Sequence, residues 1–362
     1  MLSLSEIKQK FGLNKRKAEK LLAIFKALLC ARSGNLSKIS ALFVGKNRSE
    51  SDYRGLQRFF AGTQLCEIEI AKMIWEILGI GEKVTLILDR TYWMKGKKHL
   101  NFLYLSIYFN GYGIPIFFKM LPDKKGHSSV SDRRELLEKF INIFGQDKIE
   151  CVVADREFDG CEWLSYLKDA GISYVQRVKE NTICASNSRG EMVRAKYLCR
   201  YIKSGETENF GKRKIYRCHN FDTNITITRS KKGNIVMLAH SEDMCDPIET
   251  YGLRWGIELG FRAMKTGGFN IEDTGLTNPD RITTLYRIIA VLTALSYKAG
   301  MVIESVIPIK IKSHGRKSIS YVKLFLDFLA VYKTKIIPAL KPVINTLKSF
   351  LKSLNLKFCR VR

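Results

Sequence analysis

Apolar residues along this chain change their spacing twice. Through the first 80 residues they recur every three or four positions, as in NKRKAEKLLAIFKALLCAR (14–32), with Lys and Arg between them, which predicts helices. NLSKISALFV (35–44) and SDYRGLQRFFA (51–61) read as two short helices around a Gly-containing loop, a helix-turn-helix arrangement. The second would present Arg54 and Arg58, one turn apart, to a groove of DNA. From residue 83 the pattern becomes β-like: VTLILD, HLNFLYLSIYFN and GIPIFFKML predict three strands, with a turn at GYG (111–113). A charged helix (SDRRELLEKFINIFG), a strand (IECVVAD), a helix (GCEWLSYLKDAG) and a strand (ISYVQRV) follow. That order predicts an α/β fold with a mixed sheet. Residues 181–246 alternate again as KRKIYRCHN, NITITRS and GNIVMLAHS, with KKGN as a tight turn, and predict a β-rich insertion.

YGLRWGIELGFRAMK (251–265) reads as one amphipathic helix. At roughly 100° per residue, Tyr251, Arg254, Glu258 and Lys265 share one narrow stripe. Leu253, Ile257, Gly260 and Met264 fall on the opposite side and are expected to meet a core. A buried helix is predicted at 280–305 and a basic helical tail at 306–362, interrupted by Pro338 and Pro342. The expected divisions are a helical DNA-binding region (1–78), two halves of a catalytic core (79–180 and 247–305), the insertion (181–246) and the tail (306–362).

Composition narrows the partners. The chain of 362 residues has 46% hydrophobic and 27% charged residues, a globular balance, but a net charge of +26. Such a field attracts polyanions, nucleic acid first among them. The charge is concentrated at the flanks: residues 1–60 hold 13 Lys and Arg against 4 acids, and 306–362 hold 13 against Asp327 alone. The first fifteen residues have no apolar h-region, and the apolar run IIAVLTALSY is ten residues long, which suits a buried helix and no membrane. Nine dispersed cysteines with no CxxC pair make a zinc site unexpected and suit reduced thiols in the cytosol.

Two apolar runs, LILDRT and VVADRE, each end in Asp followed by Arg, so Asp89 and Asp155 are expected at the carboxyl ends of buried strands, the edge where α/β sheets bind ligands. On parallel neighbouring strands the two acids would repel unless a cation intervened. Mg²⁺ is the hard ion that carboxylates hold, and Glu258 is the acid placed to complete a set of three. Glu157 and Asp159 are rival ligands, ranked lower because acids are favoured at a helix start for local reasons.

With these residues in place, the chain resembles a bacterial DDE transposase of the insertion sequence 4 family, the group of the transposases of transposons five and ten. The resemblance rests on Asp89, Asp155 and Glu258 as the DDE triad and on the spacing of Tyr251, Arg254, Glu258 and Lys265, and it covers residues 83–305. It implies a ribonuclease-H-like core with a β-rich insertion, and Mg²⁺, or Mn²⁺ in its place, at a two-metal site. It also implies binding of double-stranded DNA at terminal inverted repeats and target, nicking and strand transfer, a synaptic homodimer, and work at the nucleoid in a bacterial cytoplasm. Tyr251, Arg254 and Lys265 are then expected on DNA phosphates, and Trp255 is a candidate for stacking on an unpaired base. The insertion has no Trp; Tyr201, Phe210, Tyr216 and Phe221 are among its aromatics, and Lys124, Lys125 and His127 are weaker phosphate candidates. A structure-specific nuclease on the same fold and a non-catalytic DNA-binding inhibitor are the alternatives.

Overall fold

The computed structural model describes residues 4–43, 49–122, 127–181, 183–215, 221–313, 315–334 and 345. The chain forms two compact units. One comprises Met1–Gly81, Trp93–Leu100 and Gly260–Arg362; the other comprises Glu82–Tyr92 and Asn101–Leu259.

The first unit is helical, as the apolar spacing predicts. Its helices include α1 (Leu4–Phe11), α2 (Lys15–Ala31), α3 (Leu36–Ser40), α4 (Ser49–Ala61) and α5 (Glu67–Leu78). Asn14 caps α2 by accepting from the amide of Lys17, and Gly79 ends α5 in the left-handed conformation. Of these, α2, α4 and α5 pack against α10 (Pro279–Glu304), which also meets α11 (Tyr321–Thr334), while α1 rests on α2 and α3 on α2 and α4. The helix α10 is longer than its ten-residue apolar centre suggests. By length and composition it could cross a membrane, but 78% of its most apolar window is buried inside the protein. The β-bridge Ile311↔Lys317 interrupts the expected helical tail, and Pro338 and Pro342 lie outside the described residues.

Among the described residues the sheet has ten strands, in the order β3-β2-β1-β4-β5-β10-β9-β8-β6-β7. β1 (Val84–Lys95), β2 (Lys98–Phe109), β3 (Tyr112–Met120), β4 (Ile149–Ala154) and β5 (Tyr174–Val178) make the expected ribonuclease-H-like mixed part. β1, β4 and β5 run parallel, and β3 runs antiparallel to β2. The connections of this part include α6 (Val130–Phe144), whose Ser129 and Asp132 form a reciprocal capping box, and α7 (Cys161–Asp169).

Two local expectations change. β1 does not end at Asp89; it continues to Lys95, because Thr91 and Trp93 keep alternating into buried positions. The turn after β2 is Asn110-Gly111, both at positive φ, and not Gly111–Gly113. A two-residue Asn-Gly loop matches the twist of a hairpin, which frees Tyr112 and Gly113 for β3. The insertion, β6 (Cys184–Ser186), β7 (Met192–Arg194), β8 (Thr207–Ile215), β9 (Phe221–Arg229) and β10 (Ile235–His240), extends the same sheet, with β10 antiparallel to β5.

The predicted helix over 251–265 is two helices, α8 (Pro247–Gly252) and α9 (Trp255–Met264). Between them the hydrogen bonds contract to three-residue spacing: Arg254 N donates to Tyr251 O and Ile257 N to Arg254 O, both at 3.0 Å. Ile257 and Met264 are buried as expected, and Leu253 is half-buried.

Candidate active site

β1 and β4 pair with Leu88 opposite Ala154, so Asp89 and Asp155 follow side by side on adjacent parallel strands. The next residue's amide turns back on each carboxylate: Arg90 N donates to Asp89 Oδ1 and Arg156 N to Asp155 Oδ1, each at 2.7 Å. Burial pushes the Asp89 carboxyl up to about 7, helped by the charges of Glu157 and Asp155, although the Arg90 amide and Arg254 pull the other way.

The break between α8 and α9 delivers three side chains to this pair. Tyr251 donates its hydroxyl to Asp155 Oδ1 at 3.0 Å. Arg254 donates to Asp89 Oδ2 at 3.2 Å and to Glu258 Oε1 at 3.0 Å, so one guanidinium joins the strand acid to the helix acid. Its carbon lies 5.9 Å from the centre of the Tyr251 ring. Burial works against the charge of Arg254, but Tyr251, Asp89 and Asp155 outweigh it and raise its pKa. Burial, reinforced by the Asp155 charge, pushes the Tyr251 phenol up to about 12. Arg177 adds a more distant positive charge, 4.0 Å from Asp155.

The rival acids are otherwise engaged. Glu157 is held by both arms of Arg90, at 2.8 and 3.1 Å, and Arg90 also donates to Asn101. Asp159 accepts the backbone amide of Lys179 at 3.1 Å. The Asp-Arg repeat in the sequence was the signal for Arg90, whereas nothing in the spacing pointed to Asn101 or Arg177.

Lys265 lies in the helical unit, where it pairs with Glu272 at 2.7 Å and lies 5.5 Å from the centre of the Trp93 ring. Trp255 is 45% exposed, so it is not a core residue. Arg54 and Arg58 line an open groove of about 710 Å³ with Gln57 and Arg281, and Arg54 pairs with Glu50 at 2.7 Å. Among the aromatics of the insertion, Tyr201 is 85% exposed and Phe221 is buried beneath Lys168, while Tyr216 lies outside the described residues. Lys124 and Lys125 also lie outside them, and His127 is exposed.

By donor chemistry alone, three carboxylates are the oxygen ligands that a hard divalent cation takes. Among the described residues, no three His, Cys, Asp or Glu side chains gather closely enough to hold a metal. Asp89 and Glu258 meet instead through Arg254.

A family model described as the transposase DDE domain matches residues 84–295. Among solved structures, the chain is similar to a cryo-EM structure of the piggyBac transposase synaptic complex with hairpin DNA. That match has 12% identity, covers 97% of this chain and 78% of that one, and has a TM-score of 0.47. A second similarity, to the C-terminal lobe of a budding yeast Argonaute, has 12% identity, covers 78% and 61%, and has a TM-score of 0.22. No curated protein matches.

Proposed function

The chain belongs to the transposase DDE domain family, and from that premise we propose that it is a DNA transposase of the insertion sequence 4 type. On this reading it works as a homodimer in a bacterial cytoplasm, nicking DNA at terminal inverted repeats and joining the freed 3′ end to a second strand. The observation that supports it best is that two residues one helical turn apart reach all three acids, Tyr251 bonding Asp155 and Arg254 bonding both Asp89 and Glu258.

Asp89, Asp155 and Glu258 would hold Mg²⁺, or Mn²⁺ in its place, which when bound supplies an activated water and stabilises the leaving oxygen. Tyr251 steadies the Asp155 carboxylate through its hydroxyl. Arg254, with its planar fork of donors, orients a phosphate oxygen of the DNA beside the acids. Lys265 neutralises a phosphate of the DNA, and the exposed ring of Trp255 stacks on an unpaired base. Arg54 and Arg58 contact the phosphate backbone of the duplex.

Asp89→Ala, Asp155→Ala and Glu258→Ala are each expected to reduce Mg²⁺-dependent cleavage to background while leaving DNA affinity nearly intact. Metal ligands act on the chemistry, whereas affinity comes largely from phosphate contacts. Cleavage and gel-shift assays on duplex carrying the inverted repeats that flank the gene measure both. Full cleavage by the Glu258→Ala protein would pass the role to Glu157 or Asp159. Cutting without joining would leave a nuclease.

A further inference from the structure

Gln176 lies on β5, opposite Ala154, and is 1% exposed. Its side-chain nitrogen donates to the carbonyl of Asp155 at 2.6 Å and to that of Arg177 at 2.8 Å. The Asp155 carbonyl also accepts the amide of Phe158 at 3.0 Å, so both of its lone pairs are used. The peptide that follows the Asp155 α-carbon is therefore held from two sides.

The other half of the Gln176 amide is unsatisfied: its Oε1 is buried and has no hydrogen-bond partner among the described residues. Turning the amide over would bring that oxygen against two carbonyl acceptors and lose both existing bonds, so the observed orientation is the better one. A buried acceptor without a partner costs stability, and a Met of similar volume would fill the site without that cost. Packing therefore does not account for a glutamine here. What it supplies is the fixed direction of the main chain at Asp155.

A second buried polar side chain holds the other end of the same segment. Arg133, 5% exposed, donates to the Phe158 carbonyl at 2.9 Å and is itself held by Ser128 at 3.0 and 3.1 Å. Between these two anchors, the direction in which the Asp155 side chain leaves the backbone is set before Tyr251 reaches it.

We propose that Gln176 is a positioning residue that aims the Asp155 carboxylate for cation binding, a role that rests on the metal-binding reading above. Outer partners of metal ligands typically change affinity by about 10–100-fold when removed. The test uses the full chain with Mn²⁺ as probe, its binding followed by electron paramagnetic resonance beside thermal unfolding. Gln176→Met is expected to unfold at the same temperature or higher, yet to bind Mn²⁺ about tenfold more weakly. A purely structural role would instead lower the unfolding temperature and leave Mn²⁺ affinity unchanged, which would overturn the proposal. If the Met variant fails to fold, Gln176→Asn, which keeps the amide but draws it back by one methylene, is expected to show the same weakening. Unchanged affinity in that variant would overturn it equally. Asp155→Ala separates the two levels: if it binds Mn²⁺ as the wild type does, the metal reading falls and the proposal with it. If it loses binding while Gln176→Met keeps it, only the positioning role falls.

Discussion

Arg254 serves two carboxylates at once, each from a different nitrogen. The guanidinium spreads its donors across a rigid planar fork, whereas an ammonium offers all of its donors from one nitrogen on a flexible stem, so a lysine would set the two acids at a different separation. Arg254→Lys keeps the charge, so binding to duplex and its salt slope, about 0.9 per phosphate contact, should be nearly preserved. Misplacement of about 1 Å at a reacting centre can cost roughly a hundredfold, so single-turnover cleavage should fall by at least about tenfold. Equal small losses in rate and affinity would reduce Arg254 to bulk charge. Away from the acids, His240 makes a prediction about stability. It is 2% exposed, its Nδ1 faces the Ser241 carbonyl at 2.9 Å and its Nε2 meets the Thr226 hydroxyl at 3.0 Å, an arrangement that suits the neutral ring. Burial lowers its pKa below the usual 6.5. The unfolded chain therefore takes up this proton first, and the stability that His240 contributes is complete above 6.5 and lost as pH falls below it. Urea unfolding at pH 7.5 and pH 5 should show a smaller acid loss for His240→Gln than for the wild type.

At the scale of elements, the placing of Glu258 depends on how closely α9 approaches the start of β3. A Cβ built on Gly113 would lie 2.7 Å from the Ile257 α-carbon, and one on Gly256 would lie 3.1 Å from the Tyr108 ring. Two backbones meet there with no room for a side chain. Gly113→Ala must therefore push α9 outward, and overpacking of this kind typically costs about 1–3 kcal/mol. The expected result is a lower unfolding temperature together with a cleavage rate that falls further than the stability loss accounts for. Normal cleavage in Gly113→Ala would mean that α9 can move without consequence. The sequence announced much of this site and concealed the part that depends on such contacts. Asp89, Asp155, Tyr251, Arg254 and Glu258 were legible because apolar strand runs and a spaced polar stripe are local patterns. The break at Leu253–Arg254 was not, since the three-residue hydrogen bonding there is compatible with helical spacing. The far half of β1 was missed because Arg90, Tyr92 and Lys95 interrupt its apolar run, although Thr91 and Trp93 are buried. Gln176 and Asn101 gave no signal because the site residues they bond, Asp155 and Arg90, come from other parts of the chain, and strand order is not written in spacing.

At the scale of the whole molecule, the N-terminal helices share a core with residues far along the chain. Thr284 donates to the Thr63 carbonyl at 3.2 Å, Arg287 to that of Leu65 at 2.7 Å and Lys298 to that of Leu78 at 2.8 Å. A fragment ending at residue 78 loses these partners and the apolar face of α10. Such a fragment is expected to show no cooperative unfolding by circular dichroism, so the DNA role of Arg54 and Arg58 must be measured in the intact chain. A sharp transition in the fragment would show that the helices stand alone. The same long reach governs the acids. Tyr251 and Asp155 are 96 residues apart in the chain, and Arg254 and Asp89 are 165 apart. Contacts this distant form only after the intervening chain has closed, and folds rich in them assemble slowly. A chain emerging from the ribosome folds its earlier parts first, and until the segment from 251 to 258 is made, Asp89 and Asp155 have neither their clamp nor their third acid. On the proposed reading, protein synthesis is itself a timer: a chain that has not yet reached Glu258 cannot cut the DNA that encodes it.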